Sequence, residues 1–173
     1  KFLTIVRWPI LTVLMAFLGV TGMIFAQSAD PEPEIWQPTP GTTWQWQLSD
    51  DINTSYDVDM YDIDLFDTPQ EIIDELHADG RIVICYFSAG SWENWRDDSS
   101  DFPDSVLGET LDGWEDERRL DIRQIELLEP VLTARLELAA EKTCDGVEPD
   151  EVGGYDYDPG YELPAEAPLA SNF

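Results

Sequence analysis

Two acids two residues apart, Glu148 and Asp150 in "CDGVEPDEVGGY" (Cys144 to Tyr155), are the side chains best placed to do chemistry. Alternate residues of a strand point to one side, so an extended segment here would send both carboxylates into a single cavity. In a partly desolvated site two such acids repel, which raises the pKa of one and equips it to donate a proton. Glycoside hydrolysis uses that division: one acid protonates the leaving oxygen while the other carboxylate attacks or activates water. The plainer reading makes one of them a structural acid, bound to backbone amides or to an arginine such as Arg123.

The other candidate groups carry less. "DVDMYDIDLFDT" (Asp57 to Thr68) holds Asp62 and Asp64, but it lacks the glycine and spacing of a calcium loop. Of this run, one aspartate is expected to line a sugar site and the others to be solvated, with no metal or other cofactor implied. His77 is the chain's single histidine and reads as a surface residue; with no G-x-S-x-G turn, a serine-hydrolase triad has no support. The aromatics say more. Trp44, Trp46, Tyr86, Trp92, Trp95 and Trp114 gather on strands or in the loops after them. Sugar rings present apolar C–H faces to such planes, and neighbouring amides and acids bind the hydroxyls. Core filling is the competing role, expected for at least half of the six.

These residues need elements to hold them. "TTWQWQLS" (Thr42 to Ser49) alternates, with Trp44, Trp46 and Leu48 on one face and Gln45 and Gln47 on the other. "VDMYDIDLF" (Val58 to Phe66) predicts a second strand. "TPQEIIDELHADG" (Thr68 to Gly80) predicts a short helix capped by Thr68, with Pro69 in its first turn, Glu71 closing a capping box and Gly80 ending it. "RIVICYFSAG" is a continuous apolar run of the kind buried in parallel sheets. An irregular stretch rich in Trp and Asp follows, then a helix from about Arg123 to Thr143 with Pro130 bending or interrupting it, then a fourth short strand, "DGVEP".

Strand, strand, helix, strand, helix, strand is the order of a parallel α/β fold, either doubly wound or part of a (β/α) barrel. In both, chemistry collects at the carboxyl ends of strands. The polar motifs do the same here: "SAGSWE", beginning at Ser88, follows the third strand, and "EPDEVGGY", ending at Tyr155, follows the fourth.

Ahead of this domain (42–173) stand a leader and a linker. Residues 1–28 have Lys1 and Arg7, an apolar run from Trp8 to Ala26 and a small-residue exit, which predicts export through a signal peptide, cleaved or kept as an anchor. Residues 29–41 are Pro-rich and read as a semi-rigid linker. The chain has 37 acidic and 9 basic residues, a net charge of −28. Nucleic acid is therefore excluded as an expected partner, and cations, cationic polymers or basic proteins are favoured. Abundant aromatics argue for a packed domain rather than disorder. Cys85 lies within one apolar run and Cys144 opens the next; on adjacent parallel strands they would be out of level, so two buried thiols are expected.

Taken together, "GTTWQWQLS", "DVDMYDIDLFDT", "LHADGRIVICYFSAGSWENWR", "LDGWEDERRLDIR" and "CDGVEPDEVGGY" resemble family 114 of the glycoside hydrolases, the endo-α-1,4-polygalactosaminidases, from about Trp36 to the end. The resemblance implies a secreted (β/α)8 barrel, the TIM-barrel fold, acting on α-1,4-linked galactosamine polymers that are cationic where deacetylated. It implies Asp150 as one catalytic carboxylate and Glu148 as its neighbour in the site. Trp46, Gln47, Asp64, Tyr86, Ser88 and Tyr155 complete the expected substrate-binding set. Two features depart from the family. Glu151 stands where Asn is usual, placing a further negative charge beside Asp150. The chain also offers about the first four strands of a barrel that usually takes roughly 200 to 250 residues. The resemblance thus implies the amino-terminal part of a truncated barrel, without the glutamate that serves as second carboxylate. A non-catalytic acidic carbohydrate-binding or cell-surface module is the alternative.

Overall fold

The computed structural model describes residues 35–153. The expected leader and most of the linker lie outside them, as does Tyr155. The domain holds a four-stranded parallel sheet and a separate three-stranded antiparallel sheet.

The parallel sheet consists of β1 (Trp44–Gln47), β2 (Met60–Asp64), β3 (Ile82–Ser88) and β7 (Gly146–Asp150), neighbours in that order. Helix α1 (Gln70–Ala78) connects β2 to β3, and α2 (Ile125–Glu141) leads into β7. Both helices cover the same side of the sheet. On that side Tyr61, Ile63, Val83, Cys85 and Phe87 pack with Ile73 and Leu76 of α1 and with Leu128, Val131 and Leu132 of α2. One-sided coverage and strands in chain order make this the start of a barrel rather than a doubly wound sheet, which has helices on both faces. Among the described residues no helix is long and apolar enough to cross a membrane.

Register fixes the other face. Trp46 lies level with Asp62, Asp62 with Ile84, and Ile84 with Gly146; one step higher Asp64, Tyr86 and Glu148 are level, and Ser88 is level with Asp150. Paired residues share a face, so this row lines the inner, concave surface. The polar residues therefore gather where the helices are absent.

Local chemistry departs from expectation at the start of α1. The cap position is Pro69, with no side-chain cap bond. Thr68 is instead buried, its amide bonded to the Asp64 carbonyl and its own carbonyl accepting Lys142 Nζ at 2.6 Å. The turn under Asp64 consumes the residue that would have capped the helix. The far end follows the pattern: Gly80 takes φ +76°, its amide bonds the His77 carbonyl, and the Arg81 amide bonds the Leu76 carbonyl. That paired arrangement ends a helix at a glycine. Pro130 sits inside α2 without dividing it.

Residues 91–120, read from sequence as irregular, fold as the antiparallel sheet. Strands β4 (Ser91–Glu93), β5 (Leu107–Leu111) and β6 (Trp114–Leu120) run in the order β4-β6-β5. Asp112-Gly113 links the last two, with Gly113 at φ +85°, and an Asp-Gly pair between extended runs favours such a turn. A buried ion network ties this sheet to the first. Arg96 bonds Asp64 and Glu93, while Arg135 of α2 bonds Asp98 at 2.8 Å and the Ser88 carbonyl.

Cys85 and Cys144 form a disulfide, with Cα atoms 6.0 Å apart; the expectation of two thiols is overturned. Cys144 is not on a strand. It lies in the turn between α2 and β7, where Thr143 takes φ +63° and the Cys144 amide bonds the Ala139 carbonyl. From there its sulfur approaches β3 from the helix side, so the mismatch of strand levels does not apply.

Candidate active site

Above the carboxyl ends of β1, β2, β3 and β7, the antiparallel sheet closes one side of a cavity of about 640 Å³. Trp46 comes from β1, Tyr86 from β3, Asp150 from β7, and Glu93, Trp114 and Glu117 from the antiparallel sheet. Trp46, Trp95 and Trp114 are 57%, 49% and 62% exposed. The core-filling role therefore fails for these three and for exposed Trp44; Trp92 alone of the tryptophans discussed is half-buried, its indole N–H bonded to the Ser99 carbonyl at 2.9 Å. Exposed indoles around a concavity leave apolar planes for a ligand rather than for the core.

Asp150 stands at the cavity wall with both oxygens engaged. Its Oδ2 accepts the Tyr86 hydroxyl at 3.1 Å and its Oδ1 accepts the Glu151 amide at 2.7 Å. The amides of Ala89 and Gly90 both bond the Asp150 carbonyl, at 2.9 and 3.1 Å. The end of β3 thus fixes backbone and side chain together. Burial, and then the charge of Asp150, push the Tyr86 phenol well above the usual tyrosine range, so Tyr86 stays a donor.

Glu151 takes φ +59°, a left-handed conformation in which Asn is far commoner than Glu. Its backbone also packs tightly: a Cβ on Gly90 would lie 1.8 Å from the Glu151 carbonyl oxygen. The Glu151 carboxyl is raised from its ordinary range, first by burial and then by Asp150, although Arg119 lies 3.4 Å away.

The remaining expected site residues divide. Gln47 lines the cavity, but its amide staples the following loop by bonding the Ser49 and Asp51 carbonyls and the Asn53 amide. Asp64 also lines it, yet its carboxylate is occupied by Arg96 and by the amides of Phe66 and Asp67. Ser88 is buried away from the cavity, with its hydroxyl 2.6 Å from that of Ser91. Glu148 turns to Asp62 instead. Asp62 is 4% exposed, and burial followed by the facing Glu148 carboxyl pushes it up to about 8. Tyr155 lies outside the described residues. His77 is not a plain surface group, since it is half-buried and bonds Asp145 at 3.0 Å. Arg123 pairs with Asp121.

Sequence reasoning missed Glu93 and Glu117, which lie directly opposite each other across β4 and β6. The Asp-Gly turn before "WEDERRL" was the available signal. Among the described residues no group of three or more His, Cys, Asp or Glu side chains is arranged to hold a metal ion.

The model of glycoside-hydrolase family GH114 matches residues 26–172. Ega3 of Aspergillus fumigatus, solved in complex with galactosamine, is 47% identical with a TM-score of 0.75, covering 78% of this chain and 54% of its own. The glycoside hydrolase domain of PelA from Pseudomonas aeruginosa, 12% identical at a TM-score of 0.50, covers 66% of this chain and 45% of its own; it shares the fold. No curated protein sequence matches significantly. The chain thus spans about half the length of the solved structures it resembles. On the breadth of the family match and the identity to Ega3, the chain belongs to glycoside-hydrolase family GH114.

Proposed function

We propose that this chain is the site-bearing part of a secreted glycosidase that cleaves α-1,4-linked galactosamine polymers, with Asp150 as one of two catalytic carboxylates. One observation carries the reading: Asp150 is held by Tyr86 and the Glu151 amide at the wall of a cavity lined with exposed tryptophans. A fixed carboxylate beside a sugar ring can stabilise the positive charge that develops as the glycosidic bond breaks, as attacking group or as base for water. The second carboxylate is not assigned to a described residue. Galactosamine in the Ega3 structure and the acidity of this cavity both support an amino-sugar polymer as substrate. Secretion rests on the leader-like residues 1–28.

Exposed Trp46 and Trp114 would serve a non-catalytic glycan-binding module equally well, and one experiment separates the two readings. The protein is incubated with α-1,4-linked galactosamine oligomers, and both binding and new reducing ends are measured. The hydrolase reading expects release that Asp150→Asn lowers by about a thousandfold or more. Binding without release supports the module, and equal release by both proteins removes Asp150 from the mechanism.

A further inference from the structure

We propose that Arg119 of β6 is a positioning residue: it holds the left-handed backbone of Glu151, and Glu151 in turn aims the Asp150 carboxylate. The inference rests on the reading of Asp150 as a catalytic carboxylate and names the device that directs it.

The direction of Asp150 depends on the residue that follows it. Its Oδ1 accepts the Glu151 amide at 2.7 Å, and that amide belongs to a residue at φ +59°. The conformation is costly for Glu, which lacks the short polar group by which Asn and Asp bond their own backbone there. Contacts from outside the turn must hold it.

Two sets of contacts do so. The first comes from the end of β3, where the amides of Ala89 and Gly90 donate to the Asp150 carbonyl at 2.9 and 3.1 Å. The second reaches the Glu151 side chain. Arg119 Nη1 donates to Glu151 Oε2 at 3.4 Å, between side chains 9% and 24% exposed. A fully exposed pair at that distance would carry little. Arg119 is buried, so water and salt screen its charge less.

The root of Arg119 is tied to the same place. Arg119 lies level with Ser91 across β4 and β6, and the Leu120 amide donates to the Gly90 carbonyl at 2.9 Å. The contacts therefore close a ring. Gly90 holds Asp150, Glu151 follows Asp150, Arg119 holds Glu151, and Leu120 beside Arg119 returns to Gly90. Both partners of the ion pair thus start from fixed backbone, which lowers the entropy lost in ordering two long side chains.

Charge gives Arg119 its weight. Burial and Asp150 oppose the ionised form of Glu151, Arg119 favours it, and Glu117 of β6 opposes it again. Without the guanidinium, Glu151 would face Asp150 and Glu117, both of its own sign, and its backbone would relax towards negative φ. The amide would then leave Asp150. Asp150, Glu151 and Glu117 line the cavity but Arg119 does not, so its effect on a bound sugar passes through the residues it holds.

The test separates aiming from folding. Amide NMR spectra of the full chain, without ligand, follow the Glu151 amide proton, which its bond to a carboxylate shifts downfield. Arg119→Gln should return it upfield while the amides of β2 and β3 keep their positions. Arg119→Lys, which keeps the charge, should return it only part of the way. Release of reducing ends from α-1,4-linked galactosamine oligomers gives the second reading. Arg119→Gln should lower kcat about tenfold with KM within about twofold, the effect of losing one hydrogen bond to a charged group. In a Glu151→Asn background the residue accepts the left-handed backbone by itself, and Arg119→Gln should change kcat by less than about twofold. A Glu151 amide that neither Arg119 variant moves overturns the proposal, as does a kcat loss of equal size in both backgrounds. Absence of release from the unsubstituted protein overturns the hydrolase reading, and the amide spectrum still decides the role of Arg119.

Discussion

The Tyr86 hydroxyl donates to Asp150 Oδ2 at 3.1 Å, so a residue in the middle of one strand sets the direction of the carboxylate at the end of the next. The two are not level. Tyr86 pairs with Glu148, and Asp150 with Ser88, so the tyrosine reaches up one step along the concave face. Removing that hydroxyl should leave the fold intact and the carboxylate loose. Tyr86→Phe is expected to lower kcat by about 10- to 100-fold with little change in KM, the cost of one hydrogen bond to a charged group. Steady-state release of reducing ends from galactosamine oligomers would measure both constants. Because the phenol is raised above its ordinary range by burial and by Asp150, no alkaline loss of activity should trace to Tyr86 below the usual tyrosine range.

Gly90 is the second support of Asp150. Its amide bonds the Asp150 carbonyl, its own carbonyl accepts the Leu120 amide, and a methyl group there would lie 1.8 Å from the Glu151 carbonyl oxygen. The obstacle is backbone, which cannot rotate aside. Gly90→Ala should therefore push the end of β7 away from β3, cost about 3 kcal/mol of stability, and abolish glycan binding even where the protein remains folded. Chemical denaturation and calorimetry on the same sample would check both effects. Glu151→Asn, by contrast, should stabilise the protein slightly, since Asn accepts the left-handed backbone at φ +59° more readily.

How far the sequence could be read follows from which forces act locally. The strands and helices around the core were legible because their apolar runs bury against one another, and Gly80 was legible because it alone suits φ +76°. The antiparallel sheet was not. "WEDERRL" carries one buried apolar residue, Leu120, so apolar alternation does not mark it, and the Asp-Gly turn that joins it to β5 is its one short-range signal. The place of Asp150 at the cavity wall was readable from spacing and from motif, whereas its neighbour Glu148, expected in the same cavity, does not line it. Both share the inner face, but the higher residue meets Tyr86 and the cavity while the lower meets buried Asp62. The level of a residue along the barrel axis depends on register between strands, which sequence spacing within one strand does not contain.

The Cys85–Cys144 disulfide joins the centre of β3 to the turn before β7 across 59 residues. In the chain-entropy account a loop of that length is worth about 4 kcal/mol, because the bond restricts the unfolded chain. The substitution Cys144→Ala should lower unfolding free energy by about that amount in a denaturant titration. The reduced unsubstituted protein should shift similarly. The loop contains the whole antiparallel sheet and α2, so loss of the bond should also weaken glycan binding at temperatures where the fold begins to loosen.

Asp62 gives the pH dependence. It is buried on the concave face against Glu148, and burial is the larger of the two causes that raise it from 3.8 to about 8. A raised acid means that the folded protein holds a proton the unfolded chain has released. The stabilising contribution of that proton is therefore complete below about pH 3.8, declines as pH rises, and is gone above about pH 8. Asparagine keeps the neutral, donating form at every pH and can bond Glu148 as the protonated acid does. Asp62→Asn should thus match the unsubstituted protein near pH 4 and exceed it at pH 8 to 9 by several kcal/mol, at about 1.36 kcal/mol for each unit by which the pKa is raised. Thermal melts from about pH 4 to pH 9 should show a falling curve for the unsubstituted protein and a flatter one for the variant. Parallel curves would mean that folding does not raise Asp62, which would then be ionised in the folded state at neutral pH.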